Sequence, residues 1–369
     1  MNSISKSATS RRGFLGGAAT MAAGVGAAPL AMAQNAATPS GGAAGAPARA
    51  PAAAGGPIIT RPIGQSGEAI PAVGLGTFLV FDALPGARRD NLREVMKIHW
   101  DAGVRLVDTS PLYGSAQYTL GQLGTELGIL DQMFIANKVW TTGEYLADES
   151  HARRSLELSQ GLLWRETIDA MHIHSLVNIE SLVPILRAWK KEGRIRYIAI
   201  SQYETMFHDA VAGVMARGGI DMVQINYSIF NRSAETRILP MARERGMAVL
   251  ANMPFEKARL FQVVQGRPVP DFARDFASTW AEFFLKWVIA NPAVTCVLPA
   301  TSNPVHAAEN VRALRGPLPD EAMRRRMVQH MERLPGFDKI ASVPWYPGKD
   351  ARYQGLIRRQ QGVIRQRLT

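Results

Sequence analysis

The chain has 369 residues and 47% apolar content, enough to bury a sizeable core, and a formal net charge of +11. That charge does not describe a nucleic-acid surface: residues 1–57 hold four basic residues and no acid, residues 315–369 hold twelve basic against five acidic residues, and 58–314 carry no net charge. A single cysteine, Cys296, excludes an intramolecular disulfide, and its apolar run, Val294 to Leu298, reads as core.

Ser10-Arg11-Arg12-Gly13-Phe14-Leu15 is similar to the twin-arginine export signal. A weakly apolar stretch follows from Leu15 to Leu30, then Ala31-Met32-Ala33, the small-x-small pattern of a signal-peptidase site. Residues 1–33 are therefore expected to be a signal peptide read by the twin-arginine translocase, which exports folded proteins to the periplasm. The stretch is too short and too weakly apolar for a stable membrane span. Residues 34–57 are almost all Ala, Gly and Pro, the composition of a flexible linker.

From Ile58 the pattern changes. Ile58–Ile63 and Ala69–Val73 flank Gly64-Gln65-Ser66-Gly67, which predicts a β-hairpin. Short apolar runs then alternate with longer amphipathic segments. Strands are predicted near 72–77, 104–108, 133–138, 168–174, 195–201, 220–226, 247–252 and 294–299. Helices are predicted near 89–102, 116–127, 149–163, 180–192, 204–216, 233–245, 276–290 and 304–314. Gly103, Gly193 and Gly246 read as helix stops before a strand. Strictly alternating units require parallel strands, and eight of them fit an α/β fold, the (β/α)8 TIM barrel, with an N-terminal hairpin and a C-terminal extension. The rival is a doubly wound sheet with a dinucleotide fingerprint. Gly74-Leu75-Gly76 has Leu79 where its third glycine belongs. The barrel is expected to span 58–315 and the basic extension 316–369.

In such a barrel the C-terminal strand ends share one face, where reaction sites sit. The second run delivers Asp108 and Tyr113 there, the third Lys138 and the fourth His174. A free phenol has a pKa near 10. A neighbouring ammonium favours the phenolate, and Lys138 can supply it with Asp108 holding it charged and oriented. His174 can donate a hydrogen bond to a substrate oxygen. The set is a general acid poised to protonate an oxygen as negative charge develops. His172 shares a face with His174, but no third ligand stands out and no metal site is expected. Each residue alone also reads as an ordinary loop, turn or core group; the joint placement at successive strand ends carries the argument.

These motifs resemble those of the aldo-keto reductase family over about 58–315. The Gly74-Leu75-Gly76-Thr77 opening, Asp108-x4-Tyr113-Gly114, Lys138-Val139-Trp140 and Asp169-x4-His174 stand in the family's order. The resemblance implies a barrel, a nicotinamide cofactor and reversible carbonyl–alcohol interconversion, with Asp108, Tyr113, Lys138 and His174 as catalytic residues. It implies substrate-pocket walls at Phe78 and Trp140. It implies cofactor contacts from Thr77, Ser201, Gln202, Gln224, Thr301, Ser302, Glu309 and Asn310. Gln202 stands where the family has Asn, and Asn252-Met253-Pro254-Phe255 replaces the family's Tyr-Ser-Pro-Leu, so the usual stacking tyrosine is absent. Ala300 and His306 stand where a Lys and an Arg often clasp the 2′-phosphate of NADP; Arg312 is a candidate substitute. The family norm implies NADP, with NAD as the alternative.

The leading expectation is an exported, monomeric NAD(P)H-dependent reductase of small-molecule aldehydes or ketones. The alternative is a nucleotide-binding barrel that senses redox state with little turnover. The tail, with its apolar Val343-Pro344-Trp345-Tyr346-Pro347, either closes over the barrel mouth or packs elsewhere.

Overall fold

The computed structural model describes residues 56–140, 149–344 and 350–368. The expected signal peptide and nearly all of the linker, and Trp345, Tyr346 and Pro347 of the tail, lie outside the described residues.

Strands β1 (Thr60–Pro62) and β2 (Ala69–Pro71) form an antiparallel hairpin. Eight parallel strands follow: β3 (Leu75–Gly76), β4 (Leu106–Asp108), β5 (Phe134–Val139), β6 (Ile168–Ile173), β7 (Ile195–Gln202), β8 (Met222–Asn226), β9 (Ala248–Asn252) and β10 (Cys296–Val297). Each pairs with the next in sequence. Parallel bridges Val73–Val297 and Gly76–Ala300 join the first strand region to the last. Main-chain bonds Gly74 N–H to Val297 O (2.8 Å) and Gly76 N–H to Pro299 O (2.9 Å) complete the closure. The fold is a (β/α)8 TIM barrel with an N-terminal antiparallel hairpin, as the alternation predicts.

The helices between the strands are α1 (Ala87–Ala102), α2 (Ala116–Glu126), α3 (Ser150–Leu163), α4 (Ile179–Lys191), α5 (His208–Arg217), α6 (Ile238–Glu244) and, after the short α7 (Arg259–Val263), α8 (Trp280–Ile289). Helix α9 (Pro304–Arg312) follows β10. The predicted boundaries hold to a few residues, with three physical exceptions. The helix predicted from 204 starts at His208, after a 3-10 turn over Thr205–Phe207. The segment predicted as one helix over 233–245 is a 3-10 turn and then α6, interrupted at Arg237, whose φ/ψ of −139°/−46° is not helical. The helix predicted from 276 starts at Trp280, because the Thr279 side chain and Glu282 form a reciprocal capping box there. Gly103 closes α1 at φ 107°, and a side chain there would collide with Ile58 of the hairpin approach.

Two apolar layers follow from the period-2 alternation of the strands. One set of side chains points inward: Leu106, Phe134, Ala136, Ala170, Ala199, Met222, Ala248, Leu250, Cys296 and Leu298. Ile63 and Ile70 of the hairpin join this set and plug one end of the barrel. The other set, including Ile135, Ile173, Ile200, Val223 and Val249, faces the helices and forms the larger core. Cys296 is fully buried and its thiol is pushed above its ordinary pKa by burial first and Asp108 second, the expected inert core residue. Asp169 is buried at the start of β6, where its carboxylate accepts from the Ile135 N–H (2.8 Å), Arg196 (2.7 Å) and Arg165 (3.3 Å). It ties neighbouring strands together away from the reaction face.

The extension is helical rather than a plain basic tail. Helix α10 (Glu321–Glu332) buries Met327 and Met331, and its Arg324 donates to the Tyr227 hydroxyl at 2.6 Å. Helix α11 (Asp350–Leu368) buries Leu356 and Ile364. None of the helices among the described residues is long and apolar enough to cross a membrane.

Candidate active site

Continuing the inward positions toward the C-terminal strand ends replaces alanine and leucine by polar groups. Leu106 is followed by Asp108, Ala136 by Lys138, Ala170 by His172, Ala199 by Ser201, and Met222 by Gln224, two residues on in each case. The inward layer below them is apolar, with alanine at four positions, so these groups sit on an apolar floor.

Lys138 is 1% exposed. Its ammonium donates to Asp108 Oδ1 at 2.5 Å and to the Thr109 carbonyl at 2.9 Å. Burial pulls the Lys138 pKa below its ordinary value, and the Asp108 carboxylate opposes that pull. Asp108 Oδ1 also accepts the Gln224 amide at 2.8 Å. The Lys138 ammonium lies 5.0 Å from the Tyr113 ring centre. The His174 ring meets the Tyr113 ring edge-on at 5.9 Å, and Phe78 covers Tyr113 at 4.7 Å. Gly114 makes this turn with φ 66°, close against Asp82, where a side chain would collide.

His174 is held well below its ordinary pKa by desolvation, then by Lys138 and His172, so it is neutral at physiological pH. Its Nδ1 lies 3.1 Å from the Ser110 hydroxyl, which accepts the Leu112 N–H at 3.1 Å. His172 lies two residues deeper along β6. Its Nδ1 is 3.0 Å from the Asn137 carbonyl, and burial, with Lys138 second, pulls its pKa to about 3. Among the described residues no three His, Cys, Asp or Glu side chains cluster as a metal site.

These groups open onto a cavity of about 980 Å³. Asp108, Tyr113, His174, Phe78, Trp140, Gln224, Thr301, Glu309 and Asn310, all singled out from sequence, line it. Lys138 sits beneath it. Thr77, Ser201, Gln202 and Ser302 are not among its lining residues. Thr77 is fully buried and its hydroxyl donates to the Asp108 carbonyl at 2.8 Å. Ser201 accepts from the Ser175 N–H at 3.3 Å. Gln202 Oε1 accepts the N–H groups of Tyr203 (2.9 Å) and Glu204 (3.1 Å), and its Nε2 donates to the Ser175 carbonyl at 3.5 Å. Ala300 and His306 do line the cavity, whereas Arg312 is outside it and donates to Ser278 at 3.2 Å.

Other lining residues gave no sequence signal. Tyr203, from the end of β7, has its phenol pushed up to about 12 by burial, then by Glu204. The Lys257 ammonium lies 4.8 Å from the Tyr203 ring centre, and burial, with Arg259 second, pulls Lys257 down to about 6. Lys257 belongs to the segment after β9, where Met253, Glu256, Lys257 and Ala258 all have positive φ. Non-glycine residues in that region cost about 1 kcal/mol or more each, and such strain concentrates at ligand sites. A buried pair offsets it: Glu256 accepts from Ser228 at 2.6 Å and from Arg259 at 2.9 Å. Ile357, Arg358 and Gln361 of α11 complete the wall. The tail therefore reaches the barrel mouth.

Comparison with known proteins is consistent over most of the chain. The family model described as "Aldo/keto reductase family" matches residues 72–327. The aldo-keto reductase YhdN of Bacillus subtilis is 27% identical over 199 residues, covering 51% of this chain and 59% of that protein. The NADH-specific methylglyoxal reductase of Escherichia coli is 25% identical over 328 residues, covering 74% of this chain and 99% of that protein. Among solved structures, an aldo/keto reductase from Klebsiella pneumoniae in complex with NADP and acetate superposes with a TM-score of 0.60 at 22% identity, covering 72% of this chain and 93% of that one. At that identity the superposition speaks for the fold alone.

Proposed function

This chain belongs to the aldo/keto reductase family of oxidoreductases, and on that premise we propose that it reduces aldehydes or ketones to alcohols with Tyr113 as the general acid. One observation carries the reading: a buried Lys138–Asp108 ion pair lies beneath Tyr113, with a neutral His174 beside it, on the floor of a single cavity. Lys138 lowers the cost of negative charge on the phenol oxygen as its proton leaves. Asp108 holds the ammonium charged and in place. His174, with Ser110 against its Nδ1, presents its other nitrogen to the substrate oxygen and orients the carbonyl. Phe78, Leu112 and Trp140 exclude water from the reacting end.

The residues present fit a nicotinamide dinucleotide. The cavity is large, and Gln224, Thr301, Glu309 and Asn310 offer amide, hydroxyl and carboxylate partners along it. The bound nicotinamide supplies the hydride. The family norm makes NADPH the first choice and NADH the alternative. Ala300 and His306 leave the 2′-phosphate end without the usual cations, which favours keeping both open to assay. The resemblance also implies cofactor contacts from Thr77, Ser201, Gln202 and Ser302, the first three of which bond main-chain groups in this structure.

The test is direct. Mixed with NADPH or NADH and a nitrobenzaldehyde, the protein is expected to bleach the reduced-nicotinamide absorbance band. Tyr113→Phe is expected to abolish turnover while nucleotide binding persists; undiminished turnover in that variant sinks the assigned acid. The Arg11-Arg12 signal supports folded export to the periplasm by the twin-arginine translocase, with nucleotide loaded beforehand. Lysine at both positions is expected to trap the protein in the cytoplasmic fraction, and unchanged fractionation refutes that address.

A further inference from the structure

Helix α11 has features that carbonyl reduction alone does not require. Residues 350–369 hold five arginines and one aspartate. Ile364 and Leu356 are buried, Arg359 approaches Asp82 at 3.8 Å, and Arg365 lies 5.9 Å from the Trp140 ring centre. The helix is thus held across the reacting end of the cavity, against the segments that follow β3 and β5. Arg358 is the only arginine among the described residues lining that cavity. No described carboxylate lies within ion-pair distance of it, whereas Asp108 is held by Lys138 and Gln224, and Glu204 by Tyr203.

Phe78 packs on Tyr113, and Leu112, Trp140, Val177 and Ile357 add apolar lining to the same cavity. An apolar cup with one exposed guanidinium at its rim suits a particular molecule. The carbonyl lies at Tyr113 and His174, a hydrocarbon body fills the cup, and a planar anion reaches the rim. A guanidinium presents a fork of donors that matches a carboxylate in two parallel bonds. Arg359 and Arg365 on the same helix add positive charge nearby, which raises the local concentration of anions. Resting on the reading above, we infer that the preferred substrates are aldehyde or keto carboxylates, with Arg358 binding the carboxylate.

The test compares para-formylbenzoate with its methyl ester at saturating nucleotide, in the wild type, Arg358→Met and Arg358→Lys. The wild type is expected to favour the acid in kcat/KM by roughly tenfold or more, and added salt to erode the preference. Arg358→Met is expected to cut the acid-to-ester ratio by roughly tenfold, through KM for the acid, and Arg358→Lys to retain part of it. A wild-type ratio near one, or an unchanged ratio in Arg358→Met, overturns the inference. So does a raised KM for the nucleotide with the ratio unchanged, which assigns Arg358 to the cofactor's pyrophosphate. Turnover of the ester without preference for the acid leaves the reductase reading intact. No turnover of either aldehyde brings down that reading and this inference together.

Discussion

Asp108 makes three contacts that fix the geometry of the acid. Its carboxylate accepts from Lys138 and Gln224, and its main-chain carbonyl accepts the Thr77 hydroxyl. Ser110, two residues on, is fully buried and touches His174 across 64 positions of sequence. Its hydroxyl already accepts the Leu112 N–H, so its proton can go to His174 Nδ1, leaving the other ring nitrogen protonated toward the substrate. We predict that Ser110→Ala lowers kcat/KM for a neutral aldehyde roughly tenfold while costing only about 1 kcal/mol of stability, the worth of one buried hydrogen bond. Steady-state rates and urea unfolding of the same preparation separate the two; wild-type rates in the variant remove Ser110 from the mechanism. Asp108, Lys138 and His174 were legible because each ends an apolar run, and Tyr113 because it follows Asp108 on the same strand end. Ser110 sat inside the same motif, yet its role depends on a partner from another strand, which spacing along the chain does not reveal. Thr77 and Gln202 illustrate the converse: their residue types suit a cofactor, but main-chain groups nearby occupy them.

At the scale of elements, the strands were the most readable part, because one inward and one outward face give a strict period of two. The segment after β9 was the least readable. Met253-Pro254-Phe255-Glu256-Lys257-Ala258 contains no glycine, and nothing in its composition announces four positive φ angles. What holds it is the Glu256–Arg259 pair, 3% and 6% exposed at the side chains. Arg259 also donates to the Ile340 carbonyl at 2.8 Å and the Val343 carbonyl at 3.3 Å, so the same guanidinium fastens the extension to the barrel. Removing one partner of a buried pair leaves an uncompensated charge and costs about 3–5 kcal/mol. Arg259→Met is therefore expected to lower stability by that order in denaturant titration and to expose the 333–344 segment to limited proteolysis. The double variant Glu256→Gln with Arg259→Met should recover part of the loss. Equal stability of Arg259→Met and the wild type would show that the strained segment is held by something else. The extension itself was opaque to sequence because its helices are basic and repetitive; only docking on the barrel selects which face is buried.

The whole molecule buries several imidazoles as neutral groups, and this sets its response to acid. Burial pulls His99 down to about 4 from an ordinary 6.5, against an opposing bond from its Nδ1 to the Val95 carbonyl at 2.8 Å. His172 is pulled to about 3 and His174 well below 6.5, again mainly by burial. His99 is on α1, His172 on β6 and His174 just past its end, so their titrations are parts of one folding equilibrium. Below pH 6.5 the unfolded chain binds protons that the native chain refuses. Their contribution to stability is whole above that pH and is lost as pH falls toward the depressed native values. Each such proton tilts the unfolding free energy by about 1.4 kcal/mol per pH unit, so three give roughly 4 kcal/mol per unit near pH 5. His99→Asn keeps a donor for the Val95 carbonyl and removes one titration. Urea unfolding at a series of pH values between about 5 and 6.5, above the range where carboxylates dominate, is expected to show the steep slope in the wild type. The variant should lose roughly one proton's worth of it. A pH-independent wild-type stability in that window, or an identical slope in His99→Asn, would mean that these imidazoles are charged or solvated in the native protein, and the neutral His174 required at the active site would fall with them.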